Sequence, residues 1–342
     1  TTELTWERKT PCKDMYTGKA SDDTVAFECE YIGVLHKYIL KSTAKRKLVG
    51  TVISSFPSSL NIKTSRNELL VVSLNKIQSP ITINLKAQIG NSNFAGLVDY
   101  GNDVVRLRNV VSIGERVILN TEKSIVFKNC FVRLTHAGLS EFSDTAEEIL
   151  SSLRESRRRG CLLEPEITNK GLLDQFIAET SENNVRNKDN IRFVRRLSHS
   201  LLKMCGRGPG FTPSGDDFIC GFSFLFNWLS QGQECPPISL PMKRVCDLTS
   251  WISFKFIEYY QKLIVDEQIQ SLINSIGEGR TDRFMSLVST LSYRGHTSGI
   301  DICTGITTAL FTFVDRFCGT ELLPKVQSIS TEERNRREDQ HL

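Results

Sequence analysis

The sequence lacks the features that mark several protein classes. No run of uncharged apolar residues reaches the roughly 18 that a membrane span needs, and the nearest approach, Phe218–Leu229, is short enough for a buried helix. Thr1–Lys13 mixes charged side chains with no apolar block, so no signal peptide is expected. The net charge of +4 is too small to indicate a nucleic-acid or membrane partner. We therefore expect a cytoplasmic protein that binds neither nucleic acid nor a membrane.

Paired cysteines are also missing. The ten cysteines are scattered without a C-x-x-C pair, which argues against a zinc site of the usual spacing and against a compact disulfide framework. Cys220, Cys303 and Cys318 lie in apolar runs, where a free thiol packs as a small hydrophobic side chain. We expect reduced, structural thiols. A nucleophilic cysteine is the lesser alternative, and Cys205, beside a glycine-rich loop, is the one to test.

The chain divides into a β-rich part and a helical part. At about 100–200 residues per domain, 342 residues suggest two domains. Many short β-branched runs separated by turn residues are typical of an antiparallel barrel or sandwich. After about Ser140 the apolar residues recur with a helical period. The prediction is an α+β protein with a β-rich domain at residues 1–139, a mainly α-helical domain at 140–324 and a polar, disordered tail at 325–342.

Turn residues and apolar periodicity bound the individual elements. The predicted strands are Thr24–Glu30, Leu35–Leu40, Leu48–Ser54, Ser59–Thr64, Glu68–Asn75, Ile81–Leu85, Gly96–Asp99, Val104–Leu107, Arg116–Asn120 and Ser124–Phe127. The predicted helices are Ser143–Arg159, Asn169–Thr180, Asn190–Cys205, Thr212–Ser230, Met242–Gln261, Asp266–Ile276, Arg280–Leu291 and Ser298–Cys318.

The most informative segment is a glycine-rich loop that leads into an apolar helix, Gly206-Arg-Gly-Pro-Gly-Phe-Thr-Pro-Ser-Gly-Asp-Asp-Phe-Ile-Cys-Gly221. Gly206, Gly208 and Gly210 permit positive φ and a close approach of the backbone to a ligand. A helix start after such a loop offers free N–H groups and the positive end of a helix dipole, which suit a phosphate or carboxylate. Arg207 could add a bidentate contact to that anion.

The start of this helix carries both capping residues and paired acids. Thr212 or Ser214 could cap it, with Pro213 in its first turn. Asp216 and Asp217 follow, and the helix dipole explains one such acid. Two adjacent acids could also hold a cation, accept N–H groups from an amide-bearing substrate or act as a base. The segment matches neither a Walker P-loop nor a dinucleotide fingerprint, and no cofactor is predicted.

A second segment, Arg294–Gly305, repeats this pattern. Ser214–Gly221 and Ser298–Gly305 both have the form S-G-x-D-x-x-x-G and lie 84 residues apart. In a helix, the Asp and the Gly four positions later lie on one face, and the Gly allows another helix to approach closely. We infer that two helix N-termini face a shared pocket, by internal duplication. The alternative is a coincidental match of four small residues.

His296 precedes the second helix and is the best titratable candidate in the chain, because imidazole titrates near neutral pH. It could donate a hydrogen bond to a substrate oxyanion, act as a general acid or simply cap the helix. A Ser-His-Asp triad is a weaker interpretation, since no G-x-S-x-G elbow is present. The predicted catalytic residues are Asp216, Asp217, His296 and Asp301, and no metal ligands are predicted. The predicted substrate-binding residues are Arg207, Gly208, Gly210, Thr212, Ser214, Gly215, Thr297, Ser298 and Gly299.

Two signatures, Gly208-Pro-Gly-Phe-Thr-Pro-Ser-Gly-Asp-Asp-Phe-Ile-Cys-Gly221 and Gly295-His-Thr-Ser-Gly-Ile-Asp301, resemble the AllH-type subunit family of oxamate carbamoyltransferase. The resemblance covers about 20 residues. The chain departs from the family pattern at Phe211, where an aliphatic residue is expected, and at Ile300, where a larger aromatic residue is common. Neither change removes a polar group, so both bear on pocket shape more than on chemistry.

The resemblance implies a role in anaerobic breakdown of purine-derived ureides such as allantoin. There, an assembly of different subunits exchanges oxalurate and phosphate for oxamate and carbamoyl phosphate. The implied partners are other carbamoyltransferase subunits that resemble acyl-CoA synthetases, and the implied ligand is a small anion: carbamoyl phosphate, oxamate or oxalurate. Which subunit carries the chemistry is left open by the resemblance.

Two other functions remain as alternatives at this point. One is a non-catalytic subunit that binds a small anion or serves assembly, because no complete set of nucleophile, base and orienting residue is present. The other is a metal-dependent hydrolase in which Asp216, Asp217, Asp301 and His296 hold Mg²⁺ or Mn²⁺.

Overall fold

The chain folds into two compact units, Thr1–Lys128 and Asn129–Leu342. The computed structural model describes residues 24–40, 45–86, 93–94, 96–132, 142–157, 160–163, 171–186, 189–231 and 233–326. Strands dominate the first unit and helices the second, so the predicted α+β fold is confirmed. The predicted domain boundary at residue 139 and nearly all of the predicted tail lie outside the described residues.

The described part of the first unit contains nine strands. They are β1 (Val25–Gly33), β2 (Lys47–Phe56), β3 (Ser59–Thr64), β4 (Leu69–Ser73), β5 (Thr82–Leu85), β6 (Asp103–Leu107), β7 (Val110–Ile113), β8 (Val117–Asn120) and β9 (Ile125–Phe127). Strands β1 to β8 close into a barrel in the order β1-β5-β4-β3-β2-β6-β7-β8, because β1 pairs with both β5 and β8. β9 pairs with the second half of β1, beyond the end of β8. Of the two predicted β architectures, a barrel or a sandwich, the structure shows the barrel.

Two predicted strands of this unit are wrong. Leu35–Leu40 lies in a 3-10 helix, Val34–Leu40. Its buried residues, His36 and Ile39, are three positions apart, which is the period of a 3-10 helix and not of a strand. The His36 ring nitrogen Nε2 lies 2.9 Å from the Leu69 carbonyl oxygen. The predicted strand at Gly96–Asp99 is a turn at residues 96–97 followed by irregular chain, and β7 was not predicted.

The second unit is mainly helical, and nine of its α-helices are numbered in chain order. They are α1 (Ala146–Glu155), α2 (Leu172–Arg186), α3 (Asn190–Met204), α4 (Ser214–Leu229), α5 (Met242–Leu248), α6 (Trp251–Gln261), α7 (Glu267–Gly277), α8 (Thr281–Ser292) and α9 (Ser298–Cys318). The predicted single helix Met242–Gln261 is wrong. It breaks at Thr249, and the Ser250 hydroxyl caps α6 by accepting the Ser253 N–H at 3.2 Å, because a serine side chain competes well for the first free N–H groups of a helix.

Helices α4 and α9 form the centre of this unit and cross at two glycines. Every residue of α4 is buried, as are the residues of α9 from Gly299 to Val314. A Cβ atom on Gly221 would lie 2.1 Å from the Ile302 carbonyl oxygen, and one on Gly305 would lie 2.3 Å from that of Phe218. Only glycine permits this approach, as the repeated motif predicted. Among the described residues, no helix is both long and apolar enough to cross a membrane.

Candidate functional site

The two S-G-x-D segments share the same backbone construction. The Gly215 N–H donates to the Arg207 carbonyl at 2.8 Å, and the Gly299 N–H donates to the Arg294 carbonyl at 3.1 Å. In both cases a Cβ atom on the glycine would collide with a carbonyl at the end of the preceding helix. The reciprocal glycine contacts of α4 and α9 also relate positions 84 residues apart. The sequence repeat therefore corresponds to a structural repeat of loop and helix.

The first acid of the repeat, Asp217, is held by hydroxyls from both loops. The Thr212 hydroxyl donates to Asp217 Oδ2 at 3.1 Å. The hydroxyl oxygens of Thr212 and Ser298 are themselves 3.1 Å apart, and Ser298 also hydrogen-bonds to the Asp217 carboxyl. The helix start that carries Ser298 therefore lies directly against the acid of the other helix.

The second acid, Asp301, is fully buried and reaches a third segment of chain. Its Oδ1 accepts the backbone N–H of Leu162 at 2.8 Å. The hydroxyls of Ser214 and Thr297 lie beside this carboxyl and lower its pKa, as the Ser298 hydroxyl does for Asp217. By distance and angle, Asp301 Oδ2 has no hydrogen-bond partner among the described residues. The Ser214 hydroxyl lies beside Asp301 just as the Ser298 hydroxyl lies beside Asp217. The start of each helix is therefore next to the acid of the other helix.

Burial raises the pKa values of these two carboxyls into the neutral range. Burial raises the pKa of the Asp217 carboxyl to about 8, and the charge of Asp301 adds to the rise, while the hydroxyls of Ser298 and Thr212 oppose it. Burial likewise raises the pKa of Asp301 to about 7, against the opposing Leu162 N–H. An exposed aspartate would be fully ionised at this pH. Such a pair can donate and accept hydrogen bonds within one site.

Asp216 has a different role from Asp217. Its Oδ1 accepts the Gly206 N–H at 2.7 Å, and its Oδ2 accepts the Thr249 hydroxyl. These bonds tie the glycine loop to Thr249, which lies between α5 and α6. In the repeat, the position of Asp216 is occupied by Ile300, so this acid braces only the first loop. Within the described residues, no three His, Cys, Asp or Glu side chains come together as metal ligands would.

Several N–H groups at the helix starts are already in use. The Asp216 and Asp217 N–H groups donate to the Pro213 carbonyl at 2.8 and 3.2 Å, and the Asp301 N–H donates to the Thr297 carbonyl at 3.0 Å. The N–H groups of the two motif glycines are occupied as described above. The expectation of free N–H groups is therefore not met at these positions. Neither helix has a side-chain cap; the Ser214 hydroxyl instead approaches the Gly160 carbonyl at 3.5 Å.

Other predicted residues lie towards the solvent. Arg207, Gly210 and His296 are exposed, and Gly208 is half-buried. Gly208 and Gly210 both have φ of 104°, the conformation that favoured glycine in the prediction. No hydrogen bond joins His296 to Asp217 or Asp301 in the part of the chain that the structure describes. The predicted catalytic set thus divides into a buried acid pair, a structural brace and an exposed histidine.

The sequence prediction missed two participants. Arg294, the first residue of the second motif, pairs with Asp266, and the charge of Asp217 also acts on its guanidinium. Its position as the first residue of the second motif could have marked it as a site residue. The Leu162 N–H was not predictable, because a backbone group over 130 residues from Asp301 carries no side-chain signature.

Cys205 does not have the environment of a nucleophile. Burial raises the pKa of its thiol far above the ordinary value, and the charge of Asp216 adds to the rise. A reactive thiol needs the opposite shift, towards the thiolate. All cysteines in the described residues are free thiols.

Comparison with known proteins places the family resemblance on this same region. The family model described as oxamate carbamoyltransferase subunit AllH matches residues 204–310. The matched segment begins at the last residue of α3, includes both loops and all of α4, and ends within α9. The resemblance to the AllH-type family is thereby confirmed over roughly a third of the chain. No curated protein and no solved structure matches the chain significantly.

Proposed function

We propose that this protein is a subunit of a carbamoyltransferase-type enzyme and binds a small carbamoyl- or carboxylate-bearing anion between its two S-G-x-D helix starts. The observation that carries the proposal is the coincidence of two findings on residues 204–310. This segment matches the AllH family, and it also brings together the buried pair Asp217 and Asp301. Burial raises the pKa of both carboxyls towards neutrality, and acids with such perturbed pKa values are common at functional sites.

The residues around the acid pair suit a carbamoyl substrate. A protonated carboxyl can donate a hydrogen bond to a carbonyl oxygen and stabilise the charge that develops there during transfer. An ionised carboxyl can accept an N–H from the same carbamoyl group. Arg207, exposed beside the glycine loop, is the proposed partner for the anionic end of the substrate, and Arg294 is a second guanidinium near Asp217. In this proposal, the enzyme exchanges oxalurate and phosphate for oxamate and carbamoyl phosphate.

The proposed enzyme includes other subunits, in keeping with the word subunit in the description of the matching family. We propose that these partners are carbamoyltransferase subunits resembling acyl-CoA synthetases. A non-catalytic role in anion binding or assembly remains the second candidate, favoured by the exposure of His296 and by its lack of a hydrogen bond to either acid within the described residues.

The direct experiment is co-expression of the chain with candidate partner subunits, followed by an assay of oxalurate formation from oxamate and carbamoyl phosphate. An active complex that loses turnover on Asp217→Asn and on His296→Ala supports a catalytic subunit. If both variants leave turnover unchanged, the catalytic proposal fails. Thermal stabilisation by phosphate, oxamate or carbamoyl phosphate, without turnover in any complex, would favour the binding subunit, because a ligand stabilises the folded state by mass action.

A further inference from the structure

A cavity of about 500 Å³ lies in the second unit between the ends of α1 and α8. Its volume falls within the roughly 300–1,000 Å³ of small-molecule sites. The end of α1 lines it with Ser152, Glu155, Ser156 and Arg157, and the end of α8 lines it with Ser289, Ser292 and Tyr293. None of these residues belongs to the candidate site around Asp217 and Asp301, so the cavity is a separate place for a ligand.

The side chains that line the cavity carry no net charge. Its one carboxylate, Glu155, is balanced by its one guanidinium, Arg157. Both helices also end here, since the C-cap residue of α1 is Ser156 and that of α8 is Tyr293. A helix C-terminus carries a partial negative charge, so the two helix ends weaken the attraction of Arg157 for an anion. The electrostatics of the cavity therefore favour an uncharged ligand.

The backbone at these two helix ends offers acceptors. The Ser156 N–H donates to the Ser152 carbonyl at 3.0 Å, and the Tyr293 N–H donates to the Thr290 carbonyl at 3.3 Å. These N–H groups are therefore not available to a phosphate, which proteins often bind through the free N–H groups of a helix N-terminus. The last carbonyls of a helix, in contrast, accept hydrogen bonds from outside it.

The polar side chains of the cavity suit a ligand with several hydroxyl groups. The Ser292 hydroxyl donates to the Ser289 carbonyl at 2.7 Å, which leaves its oxygen as an acceptor. Glu155 Oε1 accepts the Ser151 hydroxyl at 3.3 Å, and each carboxylate oxygen has a further lone pair. A hydroxyl both donates and accepts, so adjacent hydroxyls on a ring can donate to Glu155 and accept from Arg157.

Tyr293 adds an aromatic ring that is 73% exposed. Such a ring can stack on a nucleobase or pack against the flat face of another ring. We infer that the cavity binds an uncharged ring compound with adjacent hydroxyls, either a free sugar or the ribose of a nucleoside. Its hydroxyl pair lies at Glu155 and Arg157, and its flat face lies on Tyr293.

Adenosine and glucose are the probes, one for each source of such a ring. Calorimetric titration of the full-length chain should detect binding of at least one of them. 2′-Deoxyadenosine and 2-deoxyglucose lack one hydroxyl of the pair. The analogue of the probe that binds should bind at least about tenfold more weakly, because a site that hydrogen-bonds a hydroxyl rejects the compound that lacks it. AMP or glucose 6-phosphate should also bind more weakly than its uncharged parent.

Two exposed side chains of the cavity, Glu155 and Tyr293, can be changed without disturbing the core. Glu155→Gln keeps the size of the side chain and removes its charge, and we expect about tenfold weaker binding. Glu148→Gln, at an exposed position of the same helix outside the cavity, is the matched control and should bind like the wild type. Tyr293→Leu should weaken binding about fivefold or more, whereas Tyr293→Phe keeps the ring and should keep the affinity.

The inference is overturned if neither adenosine nor glucose binds the wild-type chain at millimolar concentration. Tighter binding of AMP or glucose 6-phosphate than of its parent would indicate an anion site and would also overturn it. Unchanged affinity in folded Glu155→Gln and Tyr293→Leu would place the ligand elsewhere on the chain and contradict the assignment. Turnover enters none of these measurements, so this inference and the proposed function can fail independently.

Discussion

Thr212 and Ser298 are separated by 86 residues in sequence, and their hydroxyl oxygens lie 3.1 Å apart. This contact brings the start of α9 against the loop that precedes α4. Asp217 is hydrogen-bonded to both hydroxyls, and Asp301 stands in the equivalent place of the other repeat. The start of each loop–helix unit therefore lies beside the acid of the other unit.

The close crossing of α4 and α9 should depend on Gly305. A Cβ atom there would lie 2.3 Å from the Phe218 carbonyl oxygen, so Gly305→Ala must push two buried helices apart. We expect a loss of about 1–3 kcal/mol in the free energy of unfolding, typical of overpacked cores. Urea unfolding measures it, with Ser286→Ala on the exposed face of α8 as the control. Equal stability of the variant and the wild type would contradict the crossing geometry.

Asp216 should behave as a structural brace. Asp216→Ala leaves the Gly206 N–H and the Thr249 hydroxyl without their acceptor, and we expect it to lower the free energy of unfolding by about 1–3 kcal/mol. Asp216→Asn keeps an acceptor for Gly206 and should recover most of that stability. Chemical denaturation of the two variants compares them. A destabilisation by Asn as large as that by Ala would mean that the charge itself is required.

The contribution of Asp217 and Asp301 to stability should fall as pH rises from about 4 to about 8. The pKa values of Asp217 and Asp301 in the folded state are raised to about 8 and about 7, above the ordinary value of 3.8. Over this window the folded protein keeps protons that the unfolded chain has released, so the free energy of unfolding decreases with pH. Asp217→Asn should lose less stability between pH 5 and pH 8 than the wild type in urea titrations. Parallel losses in the two proteins would show that Asp217 does not titrate as described.

Alkylation should spare the buried cysteines. Cys130, Cys246 and Cys318 are exposed, whereas Cys205 and Cys303 are buried, and burial raises the pKa of Cys303 to about 12. Because the thiolate is the reactive form, iodoacetamide should modify the three exposed cysteines first in the native protein. Peptide mass mapping follows the modification of each cysteine. Rapid modification of Cys205 would revive the cysteine nucleophile that the structure argues against.

Much of the helical unit follows from apolar periodicity. The bounds predicted for α9 coincide with Ser298–Cys318, because a largely apolar segment without proline ends at Gly319, whose φ of 74° suits a helix terminus. The wrong elements are those in which a local contact overrides the apolar periodicity. Ser250 caps a new helix within the apparently continuous Met242–Gln261, and the burial of His36 and Ile39 draws an apparent strand into a 3-10 turn.

The candidate site was predictable only in part. Spacing alone related Asp217 to Asp301, because the repeat places both acids one turn before a glycine. Spacing could not separate Asp216 from Asp217, since adjacent helical residues face different directions and only the fold shows which neighbours each meets. The use of the helix-start N–H groups depends on loop geometry, which sequence does not specify.

Turnover by the assembled complex is the measurement that most directly tests the central claim, that the acid pair Asp217 and Asp301 acts on a carbamoyl substrate. Asp217→Asn should reduce formation of oxalurate from oxamate and carbamoyl phosphate on the order of 100-fold or more, the usual scale for loss of a proton-transferring group. The exposed control Asp282→Asn should match the wild type. Full turnover by a folded Asp217→Asn complex would contradict the account.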